Sequence, residues 1–507
     1  MVIPRIDHFI DGAVVVPGGG EYMEVHNPAT GEVIGEVACG TAQDVDRAVA
    51  AAQRALDNPA WRDMTPADRS ALLNKFIGVI KQNAQELVYL EVISSGGTVS
   101  RVGNLDLLMM VDAITTMADI VRTYPFTQSL PAKPVPELTD VKVVKEPIGV
   151  CALIPAWNVP MLLFINKLIP ALAAGNAVIV KPSELTPHTA TRLAQLFAPL
   201  LPPGVLNVVN GVGTVVGEAM TVHPGIGKIS FTGSTAVGKR IQANAAATLK
   251  RVTLELGGKG AAIVTADADL DAVAHGALFG VMLNSGQACE SGTRLLVHES
   301  IYEPLLARLA ELAGRLQLGN PLDPRTGVGP MCHAGHGQKV LGHIRSAVAQ
   351  GARLVCGGER VTVPGCEGGF FIAPTVLADC NNQMSAVREE IFGPVLAVIK
   401  YKDEAEAIAI ANDSDYGLSA GVWTGDVLAA QRIARRLRAG SIWINDWHAL
   451  RADVPFGGYK QSGQGRENGV AGLEAFLETK AIVTAFQRDP AKKSMTYGIV
   501  HRPTQSA

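Results

Sequence analysis

The chain lacks any excess of charge of one sign: 44 Lys and Arg stand against 47 Asp and Glu, a net charge of −3. No run of Lys or Arg rises above that background, which argues against a nucleic-acid or anionic-membrane partner. Paired cysteines are missing as well. The seven, Cys39, Cys151, Cys289, Cys332, Cys356, Cys366 and Cys380, are odd in number, form no CxxC and have no histidine at zinc spacing. No metal site is expected, and a reduced, cytoplasmic setting is. The most apolar stretch, residues 160–180, is broken by Lys167, Pro170, Gly175 and Asn176 and is too interrupted to span a bilayer. The opening residues MVIPRIDHFIDG have no basic region followed by an apolar one, so no signal peptide is expected. What is present is bulk. The chain has 507 residues, 48% apolar and 18% charged, too many for one core, so two or three domains are expected.

Residues 8–37 alternate apolar and polar positions around Asp11-Gly12 and Thr30-Gly31, which predicts an N-terminal β flap. Helical spacing over 44–56 and 68–93 predicts a pair of amphipathic helices. Residues 139–145 and 481–486 read as peripheral strands able to meet a partner subunit's sheet. Between them, Val/Ile-rich runs at 149–154, 177–180, 206–209 and 228–231 alternate with helix-like segments at 161–174, 187–197, 215–220 and 235–246. This is the βαβ pattern of a parallel sheet, which binds ligands beyond its strands' carboxyl ends. A second α/β pattern has strands near 261–264, 294–297, 395–400, 420–423 and 441–444, with helices at 405–411 and 427–437. The polar stretch 489–507 is expected to form an extended arm.

The chemistry concentrates between Leu254 and Arg294. Glu255 sits in an apolar strand, where its pKa can rise towards a general base's range. Cys289 lies among small residues, NSGQACESGTR, where a substrate can approach the thiol. Alone, each residue fits a structural role equally well. Four further places sit at sheet edges. Asn158 in PAWNVP either caps the following helix or offers its NH₂ to an oxyanion. Lys181 and Glu184 in KPSE form either a surface pair or a grip on ribose hydroxyls. FTGSTAVG, around Ser234, is a strand-turn-helix able to cradle a pyrophosphate, although it is not a GxGxxG fingerprint. EEIFGPV brings Glu390 and Phe392, a carboxylate and a flat ring, or only a strand cap.

In this order PAWNVP, KPSELTP, FTGSTAVG, LELGGK, NSGQACESGTR, EEIFGPV and PFGGYKQSGQGRE resemble the aldehyde dehydrogenase superfamily, and the similarity runs from about Phe9 to Phe486. The resemblance implies an α/β fold with a Rossmann-like NAD-binding domain (1–125 and 148–256), an α/β catalytic domain (257–466) and a small β bridging and oligomerisation element (126–147 and 467–507). It implies Cys289 as nucleophile, Glu255 as the base for the deacylating water, and Asn158 with the Cys289 N–H as oxyanion hole. Cofactor contacts fall on Trp157, Lys181, Ser183, Glu184, Gly213, Phe231, Gly233, Ser234, Leu256, Glu390 and Phe392. By position Val159, Leu163, Asn166, Ala288, Glu290, Leu450 and Phe456 line the substrate tunnel.

The implied reaction is oxidation of a small-molecule aldehyde to its acid. A thiohemiacetal on Cys289 gives up hydride to NAD, and the resulting thioester is hydrolysed with the help of Glu255. Glu255 favours water over coenzyme A as acyl acceptor, and Glu184 favours NAD, although some relatives with KPSE also accept NADP. Glu290, beside the nucleophile, either attracts a cationic or hydroxylated aldehyde or bonds a neighbour; His448 and Arg451 are equally ambiguous. The bridging strands imply a homodimer or homotetramer. The rivals are a coenzyme-A-acylating semialdehyde dehydrogenase and a non-catalytic family member. A papain-like hydrolase lacks support, since no CGSCW-like segment surrounds Cys289.

Overall fold

The computed structural model describes residues 5–133, 138–489, 492, 493 and 497. Its first sheet has eight strands in the order Ala13–Val15, His8–Ile10, Leu206–Val208, Ala177–Val180, Val150–Ile154, Lys228–Thr232, Arg251–Glu255 and Gly463–Gln464. The five from Leu206–Val208 to Arg251–Glu255 are mutually parallel. Val150–Ile154 and Ala177–Val180 are buried along their whole length, as continuous apolar strands must be when helices cover both faces. Pro160–Ala173 is one such helix. Pro160 at its start has no N–H to leave unsatisfied, and Val159 before it makes no side-chain cap.

The second sheet runs Arg353–Cys356, Thr375–Ala378, Val395–Tyr401, Arg294–His298, Ala261–Val264, Ser419–Trp423 and Ser441–Ile444. Only Arg353–Cys356 pairs antiparallel. A third, antiparallel sheet holds Leu477–Ala485, Thr139–Pro147 and Thr127–Lys133. The residues of Thr127–Lys133 are all exposed, as are most of those in Leu477–Ala485.

Two sequence expectations change. The N-terminal flap is not one unit. Its first hairpin, turning through Asp11 (φ 55°) and Gly12 (φ 80°), joins the first sheet where Phe9 meets Val208, because Phe9 and Ile10 are apolar and bury there. Tyr22–His26 and Val33–Ala38 form a separate pair. The helix expected over 68–93 is two, Pro66–Gln82 and Ala84–Ser95, broken at Asn83 (φ −111°, ψ 14°). The arm expected over 489–507 lies outside the described residues except at Asp489, Lys492, Lys493 and Tyr497. Among the described residues no helix is long and apolar enough to cross a membrane.

The parallel strands aim the predicted site residues at one edge. Asn158 follows Val150–Ile154, Lys181 follows Ala177–Val180, Ser234 follows Lys228–Thr232, and Glu255 ends Arg251–Glu255. That is the carboxyl edge, where such sheets bind ligands.

Candidate active site

Cys289 is held by a loop with unusual backbone. Asn284, Ser285 and Gly286 are three consecutive residues with positive φ, at 53°, 57° and 73°, a conformation that costs non-glycine residues energy and persists only where surroundings enforce it. The enforcement is visible. Asn284 Nδ2 donates to the carbonyl oxygens of Asn158 (2.9 Å) and Gln287 (3.1 Å), Ser285 Oγ donates to Gly329 O (2.8 Å), and the Cys332 N–H donates to Gln287 Oε1 (2.9 Å). Glycine is required at 286 on two counts, since a Cβ there would also lie 2.0 Å from Gly393 O. Asn158 Nδ2 donates to Gln287 O at 3.0 Å. One of its two N–H groups is thereby spent on orienting the amide beside the cysteine loop, and helix capping is not its role.

Among the seven free cysteines Cys289 is half-buried, and two carboxylates flank its thiol. Glu255 is fully buried, and neither of its oxygens has a hydrogen-bond partner among the described residues. Burial, then the charge of Glu467, pushes its pKa well above the usual carboxylate value. Glu290 behaves oppositely. Its Oε2 accepts from Cys289 Sγ at 3.2 Å and its Oε1 lies 2.9 Å from His448 Nδ1. Burial pushes Glu290 up, but the hydrogen bond and charge of His448 outweigh it and leave the pKa lowered. The thiol itself is pushed well up by burial and by the charges of Glu255 and Glu290. Behind Glu255, the ammonium of buried Lys167 donates to Glu467 Oε1 at 2.5 Å and to Ser230 Oγ at 3.3 Å.

Two cavities meet at this sulfur. The first is a tunnel lined by all seven predicted tunnel residues, Val159, Leu163, Asn166, Ala288, Glu290, Leu450 and Phe456, and also by Arg101, Asp106, Met109, His448 and Glu467. The second is a groove on the other side of Cys289. Its inner part is lined by Trp157, Gly233, Ser234, Leu256, Glu390 and Phe392, with His333, His336 and Lys339; its outer part by Lys181, Ser183, Glu184, Gly213 and Phe231. Asn158, Leu163, Glu255 and Cys289 line both tunnel and groove.

The groove's polar groups suit a dinucleotide. At one end the buried Lys181 ammonium lies 3.2 Å from Glu184 Oε2, with burial lowering the lysine pKa and Glu184 raising it, so cation and carboxylate line the groove as a pair. Midway, Ser234 N-caps Thr235–Ala246, its Oγ accepting from Val237 N at 3.4 Å, and a helix start of this kind suits an anion. At the inner end Glu390 Oε1 accepts from Gly258 N at 2.9 Å. Burial raises this carboxyl to about 7, against the pull of Gly258 and Lys259. Phe392, held at φ 55°, meets Trp157 edge to face at 5.3 Å, and its carbonyl oxygen lies 2.7 Å from His336 Nε2.

Sequence reasoning missed Lys167, Glu467, His333, His336, Lys339 and Arg101. One signal was readable: Lys167 is a lone charge inside the apolar helix Pro160–Ala173 and needs a buried counter-ion. The arrangement can perform covalent catalysis on a carbonyl, with a thiol nucleophile, an amide for the oxyanion and a carboxyl of raised pKa for water.

The aldehyde dehydrogenase family model matches residues 15–482, and the chain belongs to that family. Its structure is similar to an NAD-dependent aldehyde dehydrogenase from Sinorhizobium meliloti (38% identity, 96% of each chain covered, TM-score 0.92). It is similar to an aldehyde dehydrogenase from Bacillus cereus solved as its NAD+ complex (37%, 95% of this chain and 97% of that one, TM-score 0.92). It also resembles betaine aldehyde dehydrogenase from Staphylococcus aureus in complex with NAD+ (37%, 95% of each, TM-score 0.92).

Proposed function

We propose that this NAD-dependent aldehyde dehydrogenase works through Cys289, with Asn158 steadying the oxyanion and Glu255 activating the water that releases the acid. One observation carries the reading: a single thiol stands where tunnel and groove meet, beside a carboxylate with no hydrogen-bond partner among the described residues. The sulfur bonds to the carbonyl carbon, and the free N–H of Asn158 with the Cys289 backbone N–H faces the oxygen that gains charge. Lys181 and Glu184 hold the adenosine ribose, Ser234 the pyrophosphate, and Glu390 with Phe392 the nicotinamide ribose and ring. When bound, NAD supplies the hydride acceptor. Glu255 then takes a proton from water as it adds to the Cys289 thioester, a task suited to a carboxyl whose pKa lies above its usual range. Its position favours hydrolysis over transfer to coenzyme A.

Replacing Cys289 with Ala should reduce NADH formation to background while NAD still quenches tryptophan fluorescence. Undiminished NADH formation overturns the assignment. The aldehyde itself is found by following NADH absorbance over aliphatic, aromatic, hydroxy- and amino-aldehydes.

The division into an NAD-binding domain (1–125, 148–256), a catalytic domain (257–466) and a bridging element (126–147, 467–507) is supported by the three sheets. The exposed strands Thr127–Lys133 and Leu477–Ala485 support a homodimer or homotetramer built on the third. Seven cysteines without a disulfide support a reducing, cytoplasmic setting.

A further inference from the structure

We propose that Glu290, oriented by His448, receives the proton of the Cys289 thiol as the sulfur attacks the aldehyde and hands it back when the sulfur leaves the acyl carbon. This rests on Cys289 being the nucleophile.

The geometry is a chain of three side chains ending on backbone. Cys289 Sγ donates to Glu290 Oε2 at 3.2 Å, Glu290 Oε1 lies 2.9 Å from His448 Nδ1, and His448 Nε2 lies 3.2 Å from Gly280 O. A carbonyl oxygen only accepts, so Nε2 carries a hydrogen, and Nδ1 and Oε1 share one proton between them. Glu290 is fixed from its backbone too, where its carbonyl accepts from Ser419 Oγ and Trp447 Nε1, each at 2.9 Å. The ring of Phe279 packs edge to face on the imidazole at 5.4 Å. Glu290 therefore cannot swing away, and its free oxygen is aimed at the sulfur.

The groups facing the thiol are Glu255, Glu290 and, through them, Glu467, Lys167 and His448. They divide the labour. Glu255, its pKa raised by burial and by the charge of Glu467, is left for the water of deacylation. Glu290 stays ionised because His448 outweighs the effect of burial. Carboxyls pushed apart in this way take different proton transfers. A negative charge beside this half-buried thiol also keeps the resting sulfur protonated, so proton and nucleophile move together. As the sulfur lone pair bonds to the carbonyl carbon and the C=O π pair moves onto oxygen, the S–H bond breaks and a Glu290 O–H bond forms. In deacylation the water's proton goes to Glu255, the C–S bond breaks with its pair on sulfur, and Glu290 returns the proton to it.

The test uses the full-length enzyme carrying Glu290→Gln. Glutamine keeps the shape but removes the charge and the basicity. With the best aldehyde of the panel, kcat/KM should fall about a hundredfold. Meanwhile alkylation of the Cys289 peptide by iodoacetamide at neutral pH, followed by mass spectrometry, should become faster, with its pH midpoint moved down. A loss of packing would expose the thiol without moving that midpoint down. His448→Gln should move the acid limb of the kcat/KM profile to higher pH, since Glu290 then loses the partner that keeps it ionised. Unchanged kcat/KM in Glu290→Gln, or a fall in both rates together, overturns the inference. If alkylated Cys289 still supports turnover, the reading of Cys289 itself fails instead.

Discussion

Glu255 and Glu290 flank the same sulfur and hold their protons differently, and the difference comes from what stands behind each. Behind Glu255 is a second carboxylate, Glu467; behind Glu290 is an imidazole. Water activation needs Glu255 ionised, and its pKa is raised, so kcat should climb with pH through a value above the normal carboxylate range and level off beyond it. Stopped-flow absorbance on Glu255→Gln should show one NADH per site followed by a stall, with that pH limb gone; steady turnover at the original rate removes Glu255 from the mechanism. Lys167→Met leaves the buried Glu467 carboxylate with Ser230 as its remaining side-chain hydrogen-bond partner among the described residues, which should cost about 3 kcal/mol in urea unfolding. Lys167→Met with Glu467→Leu should recover most of it. At this scale the sequence was legible where a motif is contiguous. The small residues around Cys289 and the apolar neighbours of Glu255 could be read directly. The pairs Lys167 with Glu467 and Glu290 with His448 could not, because their members are 300 and 158 residues apart and no local period links them.

At the scale of elements, the strained cysteine loop and the 389–394 loop are built against each other. Gly286→Ala would force its Cβ into Gly393 O, backbone against backbone, on top of positive-φ strain of about 1–3 kcal/mol. The expected result is a loss of more than tenfold in kcat and weaker NAD binding by fluorescence titration, with the circular dichroism spectrum unchanged. Retained NAD affinity would show that the two loops move independently. Most buried strands were legible because parallel strands read as short Val/Ile runs between breakers. The break at Asn83 was not, since apolar spacing continues through it at Ile80 and Leu87, both buried. Ala334–Ala349 escaped notice because Gly335, Gly337 and Gly342 dilute its helical character, yet its start supplies His336 to the groove.

For the whole molecule, the third sheet is separate from the other two, with both edges unpaired among the described residues, and Ile482 and Val483 are 46% and 60% exposed. If subunits meet there, Val483→Arg should lower the mass measured by light scattering, and an unchanged mass places the interface elsewhere. The strand Gly463–Gln464 borders Glu255 on the first sheet, so the segment leading to that edge also walls the site. The sulfur has two doors. With the aldehyde in the tunnel and the dinucleotide in the groove, as proposed, neither visitor bars the other's way out. An unreactive aldehyde mimic should therefore slow the enzyme without displacing its coenzyme, giving inhibition that added NAD cannot relieve, and the acid can depart while the reduced coenzyme is still seated.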